Sequence, residues 1–309
     1  MENKRKSYYY QKVANKYTDY VVREEDELMS FLMKTVPGAN RTKIKEFLSQ
    51  KMVYVDHRIV TQYNAPLAKG QLVQICKRGN KHAFNNKFVK IVYEDAFILV
   101  VEKERGILTN AQPGMKQITV KSILDEYVKR QNRTMSVHTV HRLDRETSGL
   151  LLFAKRRDVQ QMFVENWKGL VTDRRYIAVV QGDMEKDSGT VASWLRDNKM
   201  FVVYSSVRDN GGQYAVTHYQ TLKRANGVSL VELKLETGRK NQIRVHMQDL
   251  HHPIVGDLKY GCDVDPVGRI CLHAFRIEFV HPITKEILKF ETPYPDTFCR
   301  LLASSKDKG

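Results

Sequence analysis

The residue types best suited to covalent chemistry meet in residues 141–155, HRLDRETSGLLLFAK. Asp144 lies between Arg142 and Arg145 in a polar stretch, and Thr147-Ser148-Gly149 leads straight into an apolar run over 150–154. A carboxylate flanked by two cations at the mouth of a buried strand is held ionised by its neighbours, which makes Asp144 a candidate nucleophile. The same residues also fit an Asp that satisfies loop backbone groups while both arginines stay solvated. A second cluster, His246, His251 and His252 with Asp249 and Asp257, lacks the i, i+4 histidine pair of H-E-x-x-H, so no metal is expected. No Gly-Lys dipeptide and no G-x-G-x-x-G occurs, which leaves neither a Walker A loop nor a dinucleotide site, and no cofactor is expected.

The elements around Asp144 alternate between strand and helix patterns. Apolar runs at 88–93, 97–101 and 150–154 read as strands, and 120–130 and 158–167 read as helices. Residues 214–222 and 228–236 flank Ala225-Asn226-Gly227, and Asn-Gly between two such runs predicts a hairpin. Val231, Leu233 and Leu235 alternate with Glu232, Lys234 and Glu236, as a sheet with one wet face requires. The class is therefore α+β: a large domain on a mixed, largely antiparallel sheet with flanking helices, preceded by a small α+β domain.

The chain has 309 residues and a formal net charge of +16, so a polyanion is its natural partner. Half of that excess lies in residues 1–86. There, 24–35 reads as a helix with Leu28, Phe31 and Leu32 on one face, ended by Pro37-Gly38, and 41–48 reads as a second with Ile44, Phe47 and Leu48 inward. Arg41, Lys43 and Lys45 are left facing solvent, and short strands are expected at 52–55 and 70–75. The expected order is a basic aromatic extension (1–19), the small domain (20–78), a polar linker (79–87) and the large domain (88–309). Cys76, Cys262, Cys271 and Cys299 form no C-x-x-C pair and read as reduced thiols. No apolar run approaches the roughly 20 residues of a membrane span, and no hydrophobic region follows the charged N-terminus, so a cytoplasmic location without secretory signal is expected.

Residues 141–155 resemble the H-R-L-D-x-x-T-S-G-L-L-x-x-A-K motif of the RluA-type RNA pseudouridine synthases. Residues 175–182, RYIAVVQG, look like that family's Y-x-A-x-V-x-G strand, and 235–246, LETGRKNQIRVH, look like its L-x-T-G-R-x-H-Q-I-R-V-H block. The segments HHPIVGDLKYG and LHAFRIEFVHP extend the resemblance over nearly all of residues 88–300. One departure is Asn241, where the family usually has His; Asn also donates and accepts hydrogen bonds and is expected to replace it structurally. The resemblance implies that Asp144 is the catalytic nucleophile, that Tyr176 packs on the target base and helps remove a proton, and that Arg244 pairs with Asp144. A bidentate pair would orient Asp144 and lower its pKa. Arg142 would bind the rearranged RNA.

The order basic helix, V-x-V strand, polar turn and K-G-Q-x-V-x-I strand over 20–78 resembles the S-four-type RNA-binding domain, which puts phosphates on the Arg41, Lys43 and Lys45 face. Together these blocks imply a cofactor-free isomerase turning uridine into pseudouridine in structured RNA, foremost large-subunit ribosomal RNA or a ribosome assembly intermediate, acting as a monomer away from membranes. The competing class is an RNA-binding or assembly protein with a vestigial pocket. Asp, Tyr and Arg kept in three separate blocks favour the enzyme, because binding alone has no need of a carboxylate that repels phosphate.

Overall fold

The computed structural model describes residues 17–56, 58–76, 84–112 and 114–303. Most of the expected N-terminal extension and of the linker, residues 1–16 and 79–83, lies outside them. The chain divides into two compact units, Met1–Asn85 and Asn86–Gly309.

In the first unit, β1 (Tyr17–Val21), β2 (Asp26–Glu27), α1 (Leu28–Thr35), α2 (Arg41–Ser49), β3 (Val53–Val55), β4 (Arg58–Ile59), β5 (Pro66–Leu67) and β6 (Leu72–Cys76) follow in order. β1, β6, β3 and β4 form one antiparallel sheet. Helix α1 begins later than its apolar pattern suggests, because Asp26 and Glu27 pair with Leu67 and Pro66 and are drawn into extended backbone. The periodic residues behave as their spacing requires: Leu28, Phe31, Leu32, Ile44 and Leu48 join Val53, Val73 and Ile75 in one core. Asn40 caps α2 by accepting the Lys43 N–H at 2.9 Å. Arg41, Lys43 and Lys45 are all exposed.

The second unit carries an eleven-stranded sheet. It comprises β7 (Val89–Glu94), β8 (Ile98–Lys103), β9 (His138–Thr139), β10 (Ser148–Ala154), β11 (Val171–Gln181), β12 (Ser188–Asp197), β13 (Val203–Ser206), β14 (Gln213–Ala225), β15 (Val228–Leu235), β16 (Leu272–Val280) and β17 (Ile287–Glu291). The order is β13-β12-β14-β15-β11-β16-β10-β8-β7, with β9 on β10 and β17 on β16, and only β10 and β16 run parallel. Helices α3 (Val120–Gln131), α4 (Arg157–Glu165), α5 (Trp167–Leu170), α6 (Gln242–Asp249) and α7 (Asp296–Leu301) accompany it. The single helix expected over 158–167 is two, because Asn166 leaves helical geometry at φ −128° and ψ 44°.

Two local features fix what happens near Asp144. Every residue of β10 is buried, so the preceding loop is held at the edge of the core. A Cβ on Gly149 would stand 2.3 Å from the Ala274 carbonyl oxygen, so only glycine lets β10 and β16 approach this closely. The hairpin between β14 and β15 pairs Ala225 with Val228, leaving Asn226 (φ 56°) and Gly227 (φ 70°) as its two-residue left-handed turn. Among the described residues no helix is long and apolar enough to cross a membrane.

Candidate active site

Asp144 sits in a loop tied to the rest of the sheet through its backbone. Leu143 donates its N–H to the Thr109 hydroxyl (3.2 Å) and accepts that hydroxyl's proton at its carbonyl (2.9 Å). The Arg145 carbonyl accepts the Gly106 N–H (2.8 Å) and the Lys103 ammonium (3.0 Å). Lys103 is fully buried, and desolvation pulls its pKa down to about 8 against the attraction of Glu146 and Asp144. Loop geometry is thus set by groups about 40 residues upstream.

The Asp144 side chain, 35 % exposed, opens onto a cavity also lined by Arg142, Arg174, Tyr176, Arg239 and Arg244. The three residues implied by separate sequence blocks therefore meet: Asp144 from the loop before β10, Tyr176 from β11 and Arg244 from α6. Arg142 is exposed on the rim and makes no ion pair among the described residues. Arg41, Lys43 and Lys45 belong to the other unit.

The Arg244 pairing departs from the expectation. Its guanidinium fork closes on Asp257, with Nε to Oδ2 at 2.6 Å and Nη2 to Oδ1 at 2.7 Å, while Nη1 approaches Asp144 Oδ2 only to 4.0 Å. The physical reason is burial: the Asp257 side chain is 1 % exposed and needs a charged, hydrogen-bonded partner, whereas Asp144 still touches solvent. Arg244 is itself clamped, donating Nη1 to Asn241 Oδ1 (3.2 Å) and lying over the Tyr260 ring at 4.7 Å. Asn241 in turn donates Nδ2 to the Tyr260 hydroxyl at 2.9 Å. It holds a left-handed backbone (φ 54°) that Asn tolerates well, so its amide is a structural link between Arg244 and Tyr260.

The electrostatics also differ from a simply ionised carboxylate. Burial raises the Asp144 pKa above its ordinary value, against the pull of Arg244, Arg142 and Lys103, and Asp257 adds to the rise. Tyr176 is 5 % exposed, and burial pushes its phenol upward too, with Arg174 opposing and Asp144 reinforcing. At neutral pH that hydroxyl keeps its proton. Four arginines and one carboxylate line this cavity, a wall suited to a polyanion.

Arg174, Arg239, Lys103 and Thr109 carry this arrangement without having stood out in the sequence, and Asp257, which stood out only beside the histidines, serves as the partner of Arg244. Arg174 lies over Trp167 at 5.4 Å and donates to the Thr237 carbonyl at 3.2 Å, and a Cβ on Gly238 would stand 3.0 Å from its Nη2. The Thr-Gly-Arg run was the available signal: Arg174 packs closely against Gly238. Gln242 locks that run, accepting the Thr237 hydroxyl proton (2.8 Å) and the Arg239 N–H (3.0 Å).

Comparisons with known proteins bear on the family of the chain. The family model for RNA pseudouridylate synthase matches residues 97–249. The uncharacterized RNA pseudouridine synthase YlyB of Bacillus subtilis is 32% identical over 93% of this chain and 96% of its own length. The ribosomal large subunit pseudouridine synthase D of Neisseria meningitidis is 31% identical over 89% of this chain and 78% of its own. In fold, the human RNA pseudouridylate synthase domain containing 1 superposes with a TM-score of 0.57 over 74% of this chain and 95% of its own, at 24% identity. Relatedness along almost the whole length, together with a pocket gathering the three motif blocks, places the chain in the RluA-type RNA pseudouridine synthase family.

Proposed function

We propose that this chain isomerises uridines of large-subunit ribosomal RNA, with Asp144 as the nucleophile. The observation that carries the reading is the cavity in which Asp144 faces Arg244, Tyr176 and Arg142. Isomerisation breaks the bond between C1′ and N1, turns the base and joins C1′ to C5; the C5 hydrogen leaves as a proton and N1 takes one, so atoms and electrons balance without a co-substrate. A carboxylate bonded to C1′ of the ribose or to C6 of the base holds the intermediate, splitting one hard step into easier ones. A base must leave its stack to reach the pocket, and Tyr176 offers it an apolar face. Arg142, Arg174 and Arg239 bind the displaced backbone through phosphate.

Support for the ribosomal substrate comes from relatives named for the large ribosomal subunit and from the basic first unit, read as an S-four-like RNA-binding domain. Such an enzyme works as a monomer in the cytoplasm on ribosomal RNA or an assembly intermediate. Mapping pseudouridines in ribosomal RNA from cells lacking the gene tests this: one or more positions should revert to uridine and be restored by the wild-type chain. An unchanged map would remove ribosomal RNA as substrate.

The raised Asp144 pKa has a kinetic signature. If the ionised carboxylate attacks, activity falls as pH drops through the folded-state pKa, so the acid limb of kcat/KM, which reports the free enzyme, lies above the ordinary carboxylate value of 3.8. Arg142→Ala, which removes one of the charges favouring the carboxylate, should move that limb to higher pH. An acid limb at the ordinary value in both proteins would tell against Asp144 as the titrating group.

The first unit is testable by salt. Replacing Arg41, Lys43 and Lys45 together by Ala should weaken binding alike across RNA sequences and flatten the plot of log K against log salt by about 2 to 3, at roughly 0.7 to 0.9 per phosphate contact. An unaltered slope would return this helix face to the role of a solvated charged surface.

A further inference from the structure

We propose that the tip between β12 and β13, with the groove beside it, seats the unstacked RNA strand next to the target uridine, Phe201 stacking on a base and the surrounding cations taking its phosphates. The inference rests on the reading of the chain as an RNA-modifying enzyme and adds a second contact surface outside the catalytic pocket.

Met200 and Phe201 are 77% and 74% exposed, an unusual place for two large apolar side chains in succession. Their turn is tightly built, because Asn198 Oδ1 accepts the N–H groups of both Met200 and Val202 at 2.9 Å, and the Asn198 carbonyl accepts the Phe201 N–H at 3.0 Å. Phe201 itself is held at φ 58°, a left-handed conformation that a bulky aromatic side chain adopts at a cost. The ring buries little surface in the fold, whereas a base stacked on it would cover its open face.

The neighbours name the ligand. Lys240 Nζ lies 6.0 Å from the Phe201 ring centroid, and Lys240 and Lys259 direct their ammonium groups at the Phe201 carbonyl at 3.5 and 3.4 Å. Lys199 precedes Met200 in the tip, and the carboxylate nearby, Asp197, is already engaged by Lys240 at 2.5 Å. A cavity of about 290 Å³ beside the tip is lined by three cations, Arg196, Arg239 and Lys240, and by one carboxylate, Asp197, and Gly211 and Gly212 leave part of its wall free of side chains. Arg239 lines this cavity and the Asp144 pocket alike, so one strand can run from one to the other. A basic groove beside an exposed aromatic ring is how proteins hold single-stranded nucleic acid. A protein partner fits less well, since lysines are depleted from protein interfaces.

The test is equilibrium binding of the full chain to a fluorescently labelled 12-nucleotide single-stranded RNA of mixed sequence. Phe201→Asn, a residue suited to the left-handed backbone, should weaken binding about 5- to 150-fold while leaving the salt slope unchanged, because stacking releases no counterions. Arg196→Ala combined with Lys199→Ala should instead flatten the slope by about 1.4. Phe201→Trp should bind as the wild type does, and its added tryptophan emission should be quenched by the RNA. Wild-type affinity and slope in the first two variants, or no quenching of the added emission in Phe201→Trp, overturns the proposal and leaves the tip to protein contacts. Binding does not require turnover, so pseudouridine formation by the wild type, assayed separately, reports on the catalytic reading alone.

Discussion

With Asp144 as the proposed nucleophile, Asp144→Asn should abolish pseudouridine formation, turnover falling by about 10⁴-fold or more, as loss of a covalent nucleophile does in other enzymes. The amide has nearly the same shape and cannot form the covalent intermediate, and the loop is held by Thr109, Lys103 and Gly106 through backbone atoms the substitution leaves alone. Folding is therefore preserved. RNA affinity stays equal or rises, since the one carboxylate in a pocket of four arginines no longer repels phosphate. Tritium release from RNA labelled at C5 of uridine measures the first effect and filter binding the second. Substantial turnover by this variant would remove Asp144 from the reaction.

The Arg244–Asp257 pair should show a separation of stability from catalysis. Arg244→Ala leaves the Asp257 carboxylate buried at 1% exposure without its fork, a change that costs roughly 3 to 5 kcal/mol. It also removes the cation 4.0 Å from Asp144, so turnover falls further than RNA binding does. Arg244→Lys rescues poorly, because an ammonium cannot span both oxygens of Asp257 while presenting a third donor to Asn241. The decisive protein is the double variant Arg244→Met with Asp257→Leu. Replacing a buried ion pair by apolar groups of similar volume is often neutral for stability, so its melting temperature should recover much of the loss in Arg244→Ala while turnover does not. Recovery of turnover along with stability would make Arg244 a purely structural residue.

A helix or strand whose pattern is local was legible in the sequence. Residues 41–49 form α2 because Ile44, Phe47 and Leu48 share one face, and Asn226-Gly227 makes its hairpin because both positions accept a left-handed backbone. The burial of β10 followed from its uninterrupted apolar run, and the three motif blocks named Asp144, Tyr176 and Arg244, which the fold brings to one cavity. The local elements depend on a few neighbouring residues, whereas Tyr176 and Arg244 were named by the family resemblance.

The tertiary structure decided the charges. Whether Arg244 gives its fork to Asp144 or to Asp257 turns on which carboxylate lies deeper, and that depth is a property of packing, not of spacing along the chain. The same holds for the Asp144 pKa: two adjacent arginines suggest a depressed value, but desolvation by the surrounding fold outweighs them. Lys103 reaches the Asp144 loop across 42 residues, and Arg174 and Arg239 join the pocket only because β11 and the Thr-Gly-Arg run meet there. Residue types and order along this chain thus set the chemistry available, while distance and dielectric, which only the assembled core defines, set how strongly each charge acts.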